Sequence, residues 1–238
     1  MKIEGKNAVR ECILSHKTIE KILIQNGSAN NELVNLAKAN GVKVQYINKS
    51  QMDELSVTKK HQGVIALSTD FKYSSVEDIL AYAKAKNEPA FILILDGVED
   101  PHNLGSVLRV AECAGVHGVI IPKDRAVGVT ETVVKVSAGA SERVRVAKVV
   151  NLNRAIEELK SKNIFVYCAD MDGEPMTKTN LTGDIAIVVG SEGFGVSKLT
   201  KKLCDGVISI PMFGKINSLN ASVSAGIVVY EAIRQRKN

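Results

Sequence analysis

Apolar runs of strand length alternate along this chain with stretches whose apolar residues recur every three or four positions. In the first third, Lys6 to Ser15 has helical spacing, Lys21 to Gln25 reads as a strand, and Leu33, Leu36 and Ala37 mark a helix closed by Gly41. Lys43 to Asn48 alternates as a second strand, Asp53 to Leu55 is a short helical piece, and Gly63 to Leu67 is a third strand. The alternation predicts a small α/β module over residues 1–72. Ser75-Val-Glu-Asp78 has the form of a helix start, with Val76, Ile79, Leu80 and Ala83 on one face, and the pattern ends before Asn87-Glu88-Pro89. Residues 73–89 are accordingly placed in the region linking this module to a second domain, 90–238.

From Phe91 onward the pattern predicts six strands: Phe91 to Leu95, Gly118 to Ile121, Val144 to Val149, Ile164 to Ala169, Ile185 to Val189 and Val207 to Ile210. Helices between such continuously apolar strands imply a mostly parallel sheet covered on both faces, an α/β fold. The last helix, Ser218 to Arg236, is apolar around much of its circumference, as expected of a deeply buried helix or one in a subunit interface.

Composition narrows the class. The 238 residues are 45% hydrophobic and 24% charged, with a mean hydropathy of +0.03, which describes a globular chain of one or two domains. No apolar run approaches the roughly 18 to 20 residues of a membrane span, and no long apolar region follows the charges of Met1 to Gly5, so a cytoplasmic protein is expected. Cys12, Cys113, Cys168 and Cys204 lie far apart among apolar neighbours and read as buried free thiols. The four histidines show no ligand spacing, and no metal is expected. The net charge of +5 is unevenly spread: residues 1–72 carry eleven Lys/Arg against seven Asp/Glu, the remainder 20 against 19. That excess draws the first third toward a polyanion such as RNA. Within it, Lys59-Lys60-His61-Gln62-Gly63 is a loop able to grip phosphate and a base edge, with His61 as a candidate, or simply an exposed polar loop.

Chemistry is expected where strands empty into small-residue loops, since α/β sheets bind ligands at those strand ends. Gly190 to Gly195 fits a G-x-x-x-x-G phosphate cradle, but Val196-Ser197 stands where a nucleotide triphosphatase needs Lys followed by Ser or Thr. A dinucleotide oxidoreductase is disfavoured too, because Gly105 stands alone between Asn103 and Arg109. Asp96, Glu99 and Asp100, with Gly97 and Pro101 among them, read as turn and cap formers rather than a magnesium site. Arg109 follows Val107 and Leu108, where a guanidinium needs a phosphate or carboxylate partner. In a continuous helix it lies about 120° round from Asn103.

Three stretches, taken together, resemble the signature of the SpoU/TrmH group of SPOUT-class RNA methyltransferases. They are Asp100-Pro-His-Asn-Leu-Gly-Ser-Val-Leu-Arg109, Val189-Gly-Ser-Glu-Gly-Phe-Gly195, and Ile208-Ser-Ile-Pro-Met212 continuing through Ser218-Leu-Asn-Ala-Ser-Val-Ser224. The first third is similar to the family's substrate-binding domain in Gly5-Lys-Asn-Ala-Val-Arg10 and His61-Gln-Gly-Val64. The resemblance implies a SPOUT-type parallel sheet with a C-terminal trefoil knot, preceded by a small L30e-like α/β domain, in a homodimer that acts on RNA and not on DNA or membranes. It implies S-adenosylmethionine as cofactor, held by backbone at Gly190, Ile210 and Leu219. Arg109 is implied as the catalytic residue, with Asn103, Glu192, Ser218 and Asn220 as the orienting polar groups. The implied reaction is methylation of a ribose 2′-hydroxyl, with a guanosine of 23S ribosomal RNA as the acceptor. A transfer RNA, another ribosomal site, or a catalytically silent RNA-binding protein on the same scaffold are the alternatives.

Overall fold

The structure is a computed structural model that describes residues 1–15, 18–69, 71–215 and 218–237. It divides into two units, residues 1–72 with 128–131, and residues 73–127 with 132–238.

The first unit runs β1 (Lys2–Glu4), α1 (Lys6–Leu14), β2 (Thr18–Gln25), α2 (Asn31–Ala39), β3 (Val44–Ile47), α3 (Lys49–Leu55) and β4 (Val64–Thr69). Its sheet has the order β1-β4-β2-β3, with β3 parallel to β2 and the other pairs antiparallel. Period-two alternation in β2 sends Ile22 and Ile24 into a core with Val9, Ile13, Leu33 and Val34 of α1 and α2. Leu23, on the opposite face, meets Ile47, Met52 and Ile65. Strand β1 is absent from the hydropathy pattern, since three residues are too few to show a period. Asn48, expected in a strand, instead caps α3 in a reciprocal pair with Gln51.

His61 departs from its expected role. It is buried, its Nε2 donates to Asp53 Oδ1 at 2.8 Å, and its Nδ1 accepts from the Gly63 amide at 3.0 Å. Both ring nitrogens are committed inside the protein, so His61 fixes the loop rather than gripping phosphate or a base edge.

The second unit continues with α4 (Val76–Ala85), β5 (Phe91–Asp96), α5 (Pro101–Cys113), β6 (Gly118–Pro122), α6 (Glu131–Val136), β7 (Arg145–Val149), α7 (Leu152–Ser161), β8 (Phe165–Pro175), β9 (Ile185–Gly190), α8 (Lys198–Leu203), β10 (Gly206–Ser209) and α9 (Ala221–Lys237). Its six strands have the order β10-β8-β9-β5-β6-β7, every pair parallel. Strand β9 is buried along its whole length, which accounts for its unbroken apolar sequence. Helix α4 falls in the expected linking region, yet Val76, Ile79 and Ala83 are part of this unit's core. Two thiols also differ from expectation. Cys12 and Cys168 are buried, but Cys113 is exposed and Cys204 half-buried.

Candidate active site

The site is built at the C-terminal ends of β5, β6 and β9. Strand β9 stops at Gly190, where the chain folds back: Ser191 N donates to Gly195 O at 3.2 Å and Gly195 N to Ser191 O at 3.0 Å. The return passes so close that a Cβ on Gly190 would lie 2.0 Å from the carbonyl carbon of Gly195. Only glycine fits there.

Against this loop lies a cavity of about 370 Å³ walled by Gly190, Glu192, Ile210, Ser218 and Leu219, with Asp170 opposite. All three expected cofactor positions and two of the polar ones thus face one space. Asp170 carries no sequence signal for a site. It is paired with Lys201 at 3.2 Å.

A hydrogen-bonded trio joins three distant segments at the edge of this cavity. Asn103 Nδ2 donates to Glu192 Oε1 at 2.9 Å, Asn220 Nδ2 donates to Asn103 Oδ1 at 2.9 Å, and Asn220 Nδ2 also bonds Glu192 Oε1. Local structure sets each member. Asp100 caps α5 by accepting from His102 N at 2.8 Å, and Pro101 occupies the first helical position, which puts Asn103 on the first turn. Asn220 caps α9 through Oδ1, accepting from Ser222 N at 2.9 Å, so its Nδ2 is left to face Asn103 and Glu192. Glu192 Oε1 receives two amides, while Oε2 has no partner among the described residues. The carboxylate is held from one side and open on the other.

A second cavity, of about 710 Å³, is lined by Asp96, Asp124, Arg125 and Asn151, and shares Glu192 and Phe194 with the first. Phe194 is 93% exposed, an aromatic ring in solvent between two cavities. Sequence reading passed over Phe194, Asp124 and Arg125. Phe194 lies inside the Val189 to Gly195 motif, and a large apolar residue among glycines is its sequence signal; Asp124 and Arg125 carry none. Asp96, at the end of β5, ties that strand to the start of α8 by accepting from Ser197 N at 2.9 Å, a long-range link rather than the local turn expected of it.

Arg109 is not brought into this assembly. It lies on the exposed side of α5 while Asn103 is buried, as their separation round a continuous helix requires. No hydrogen bond or ion pair ties its guanidinium to a described residue, and it lines neither cavity. Among the described residues no group of three or more His, Cys, Asp or Glu is arranged to hold a metal ion. The Cys168 thiol, hydrogen-bonded to Cys204 and buried, is pushed far up from its ordinary range. It is therefore protonated and inert as a nucleophile. No described helix is long and apolar enough to cross a membrane.

Comparison with known proteins gives the family. Residues 90–230 match the SpoU rRNA Methylase family, and residues 2–74 match the domain described as RNA 2′-O ribose methyltransferase substrate binding. A Bacillus subtilis (strain 168) protein named as a TrmH family tRNA/rRNA methyltransferase, YacO, is 44% identical over 98% of this chain and 94% of its own. A Staphylococcus aureus (strain MSSA476) protein named for the same family is 46% identical over 98% of this chain and 96% of its own. The crystal structure of the SpoU methyltransferase AviRb from Streptomyces viridochromogenes, in complex with AdoMet, superposes with a TM-score of 0.65 at 21% identity, covering 100% of this chain and 90% of that one. A parallel sheet with strand-end cavities, matched over most of its length by that family and led by a domain of the matching substrate-binding type, shows that the chain belongs to the SpoU/TrmH family of RNA methyltransferases.

Proposed function

We propose that the chain transfers a methyl group from S-adenosylmethionine to a ribose 2′-hydroxyl of RNA, with a guanosine of 23S ribosomal RNA as the acceptor. The smaller cavity suits the cofactor. Its volume falls in the range of small-molecule sites, Gly190 offers bare backbone where any Cβ would collide, and Gly190, Ile210 and Leu219 line it together. The larger cavity, sharing a wall with it, suits the acceptor nucleotide.

The cofactor supplies an activated methyl group on a sulfonium with a good leaving group. The rest falls to the protein, because a ribose hydroxyl is a poor nucleophile at neutral pH. Glu192, locked by Asn103 and Asn220 at the shared wall, orients the acceptor by accepting a hydrogen bond on Oε2. That wall is the observation that carries the proposal. Preorganised groups of this kind hold oxygen and methyl carbon in line without reorganising during the reaction. Phe194 offers a stacking face to the unpaired base. Arg109 lines neither cavity of its own chain, so in this reading it serves the site of the second copy in the homodimer, as an electrostatic clamp on the developing alkoxide or the adjacent phosphate, since a guanidinium with a pKa above about 12 is a poor proton acceptor. Ser218 completes the polar wall on the cofactor side.

The remaining readings belong to the same proposal. A trefoil knot is supported by the position of β10 at the sheet edge beside β8, while residues on both sides of the following segment, Ile210 and Leu219, return to the cavity at the end of β9. The mixed four-stranded sheet of the first unit supports an L30e-like domain for RNA. A homodimer is supported by Val223 and Tyr230, large residues of α9 that stay about half exposed.

The test is to incubate bacterial ribosomal RNA, lacking its own 2′-O-methylation, with the protein and labelled S-adenosylmethionine, and to map alkali-resistant phosphodiesters. One stoichiometric site in 23S RNA is expected, lost when that nucleotide is made 2′-deoxy in a synthetic fragment. Labelling that persists on the deoxy nucleotide would overturn ribose methylation. Labelling of transfer RNA alone would overturn the ribosomal target.

A further inference from the structure

The smaller cavity, at the end of β9, has a negative wall. Among the described residues that line it, Asp170 and Glu192 are charged and none is basic. Glu192 is engaged by Asn103 and Asn220 on the side of the acceptor. Asp170 reaches the cavity through a bulge in β8. Strand β10 pairs Val207 with Cys168 but its next residue, Ile208, with Glu174, so Ala169 to Gly173 are left without partners on β10. Bulges of this kind re-aim side chains beside active sites. Here the bulge is fixed in place, because Ser209 Oγ donates to Gly173 O at 2.9 Å and a Cβ on Gly173 would lie 2.6 Å from the backbone of Val207. The Asp170 carboxylate turns toward the loop after β9, where a Cβ on Gly195 would lie 3.9 Å from its Oδ2.

Lys201 of α8 does not cancel this charge. It is not part of the cavity wall, and it bridges two carboxylates, Asp170 Oδ2 at 3.2 Å and the exposed Asp172. Its hydrogen bond to Asp172 pushes that carboxyl below its ordinary range and the ammonium above its own. With Asp170, the three side chains sum to one negative charge, and the member that faces the cavity is an anion.

That sign separates the methyl donor from its product. S-adenosylmethionine carries a sulfonium, an ammonium and a carboxylate at neutral pH, a net positive charge. Transfer leaves the electron pair of the broken S–C bond on sulfur, so S-adenosylhomocysteine keeps the other two charges and is neutral overall. Building on the reading that this cavity holds the cofactor, we propose that Asp170 is a specificity-determining residue that makes the cavity prefer the sulfonium donor over the thioether product. A fixed carboxylate in a partly dry site acts on such a charge far more strongly than water would allow, and discrimination is a difference of two affinities. The product is thereby released in favour of fresh donor after each transfer.

The test is calorimetric titration of the full chain with S-adenosylmethionine, S-adenosylhomocysteine and sinefungin, which carries an ammonium where the donor has its sulfonium. The parent is expected to favour the two charged ligands. Asp170→Asn, close in size, is expected to weaken both by about tenfold and to leave S-adenosylhomocysteine within about twofold. In steady-state assays the same variant is expected to show product inhibition about tenfold stronger relative to the KM for the donor. Two variants outside the cavity wall move the charge in opposite directions: Lys201→Met is expected to widen the preference and Asp172→Asn to narrow it, each by about threefold. A general loss of structure cannot produce opposite signs, and Asp172→Asn alters only an exposed side chain. Equal losses for all three ligands in Asp170→Asn would show that the residue binds a group they share, and would overturn the inference. So would a preference that Lys201→Met and Asp172→Asn shift in the same direction. Failure of the cavity reading looks different, since Gly190→Ala would then leave all three affinities at parental values. If Gly190→Ala abolishes binding while Asp170→Asn keeps the parental preference, the inference alone falls.

Discussion

Replacing Gly190 by alanine tests the site through its tightest contact. The added Cβ would lie 2.0 Å from Gly195 C, 2.2 Å from Gly195 O and 2.3 Å from Val196 N, where ordinary contacts between carbon atoms are about 3.5 to 4.0 Å. The obstacles are backbone, so no rotamer change relieves them. Strand β9 is buried throughout and cannot shift without disturbing both neighbouring strands, so the loop must move by more than an ångström. That movement breaks the two backbone hydrogen bonds between Ser191 and Gly195, each worth about 1 kcal/mol, on top of overpacking at about 1 to 3 kcal/mol. A total of roughly 3 to 5 kcal/mol follows. Borne by folding, it lowers the melting temperature by roughly 6 to 20 °C, using about 2 to 4 °C per kcal/mol for a chain of this size. Borne by the loop, it costs more than about a hundredfold in S-adenosylmethionine affinity. Thermal melts and calorimetric titration of the same sample read both. A variant that melts within about 2 °C of the parent and binds cofactor within about threefold would refute the reasoning.

Arg109→Ala is expected to remove nearly all methyl transfer while S-adenosylmethionine affinity stays within a few-fold, and Arg109→Lys to rescue little, since a point charge does not replace the planar fork; single-turnover transfer and cofactor titration check both. Glu192→Gln keeps the size of the side chain but replaces one carboxylate oxygen with an amide donor, and with two amides already aimed at Oε1 it is expected to lower kcat more than tenfold, with a small effect on cofactor binding, in steady-state assays. In the first unit, partial burial of the Glu4 carboxylate favours its protonated form, but bonds from Thr58, Val57 and Ser56 outweigh this and bring its pKa from the ordinary 4.5 down to about 2. Because the folded value is the lower one, this stabilisation is present in full above pH 4.5 and fades as pH falls toward 2. Urea midpoints of the parent and of Glu4→Gln are therefore expected to differ most at neutral pH and to converge in acid; a gap that stays constant with pH would contradict the assignment.

The sequence alone determined the alternation of elements, and with it the class of the second unit. Strands such as Phe91 to Leu95 and Ile185 to Val189 are apolar without interruption because both faces of a parallel sheet are covered, and that requirement is written at every position of the strand. It also marked the strand ends as the expected place for a ligand, since β9 ends at Gly190 and Ile210 follows β10, whereas Leu219, just before α9, was legible only through the family resemblance. Elements set by a few residues were less legible. Strand β1 is too short to show a period, and the burial of His61 depends on Asp53, eight residues away, and on the amide of Gly63. The tertiary structure alone decided which polar residues act together. Asn103, Glu192 and Asn220 are separated by 89 and 28 positions in the chain, so no local pattern encodes their hydrogen bonds; only the folding of α5, the loop after β9 and the cap of α9 onto one sheet edge makes them neighbours. The same helix geometry that buries Asn103 turns Arg109 away, because six residues on an α-helix do not complete a second turn.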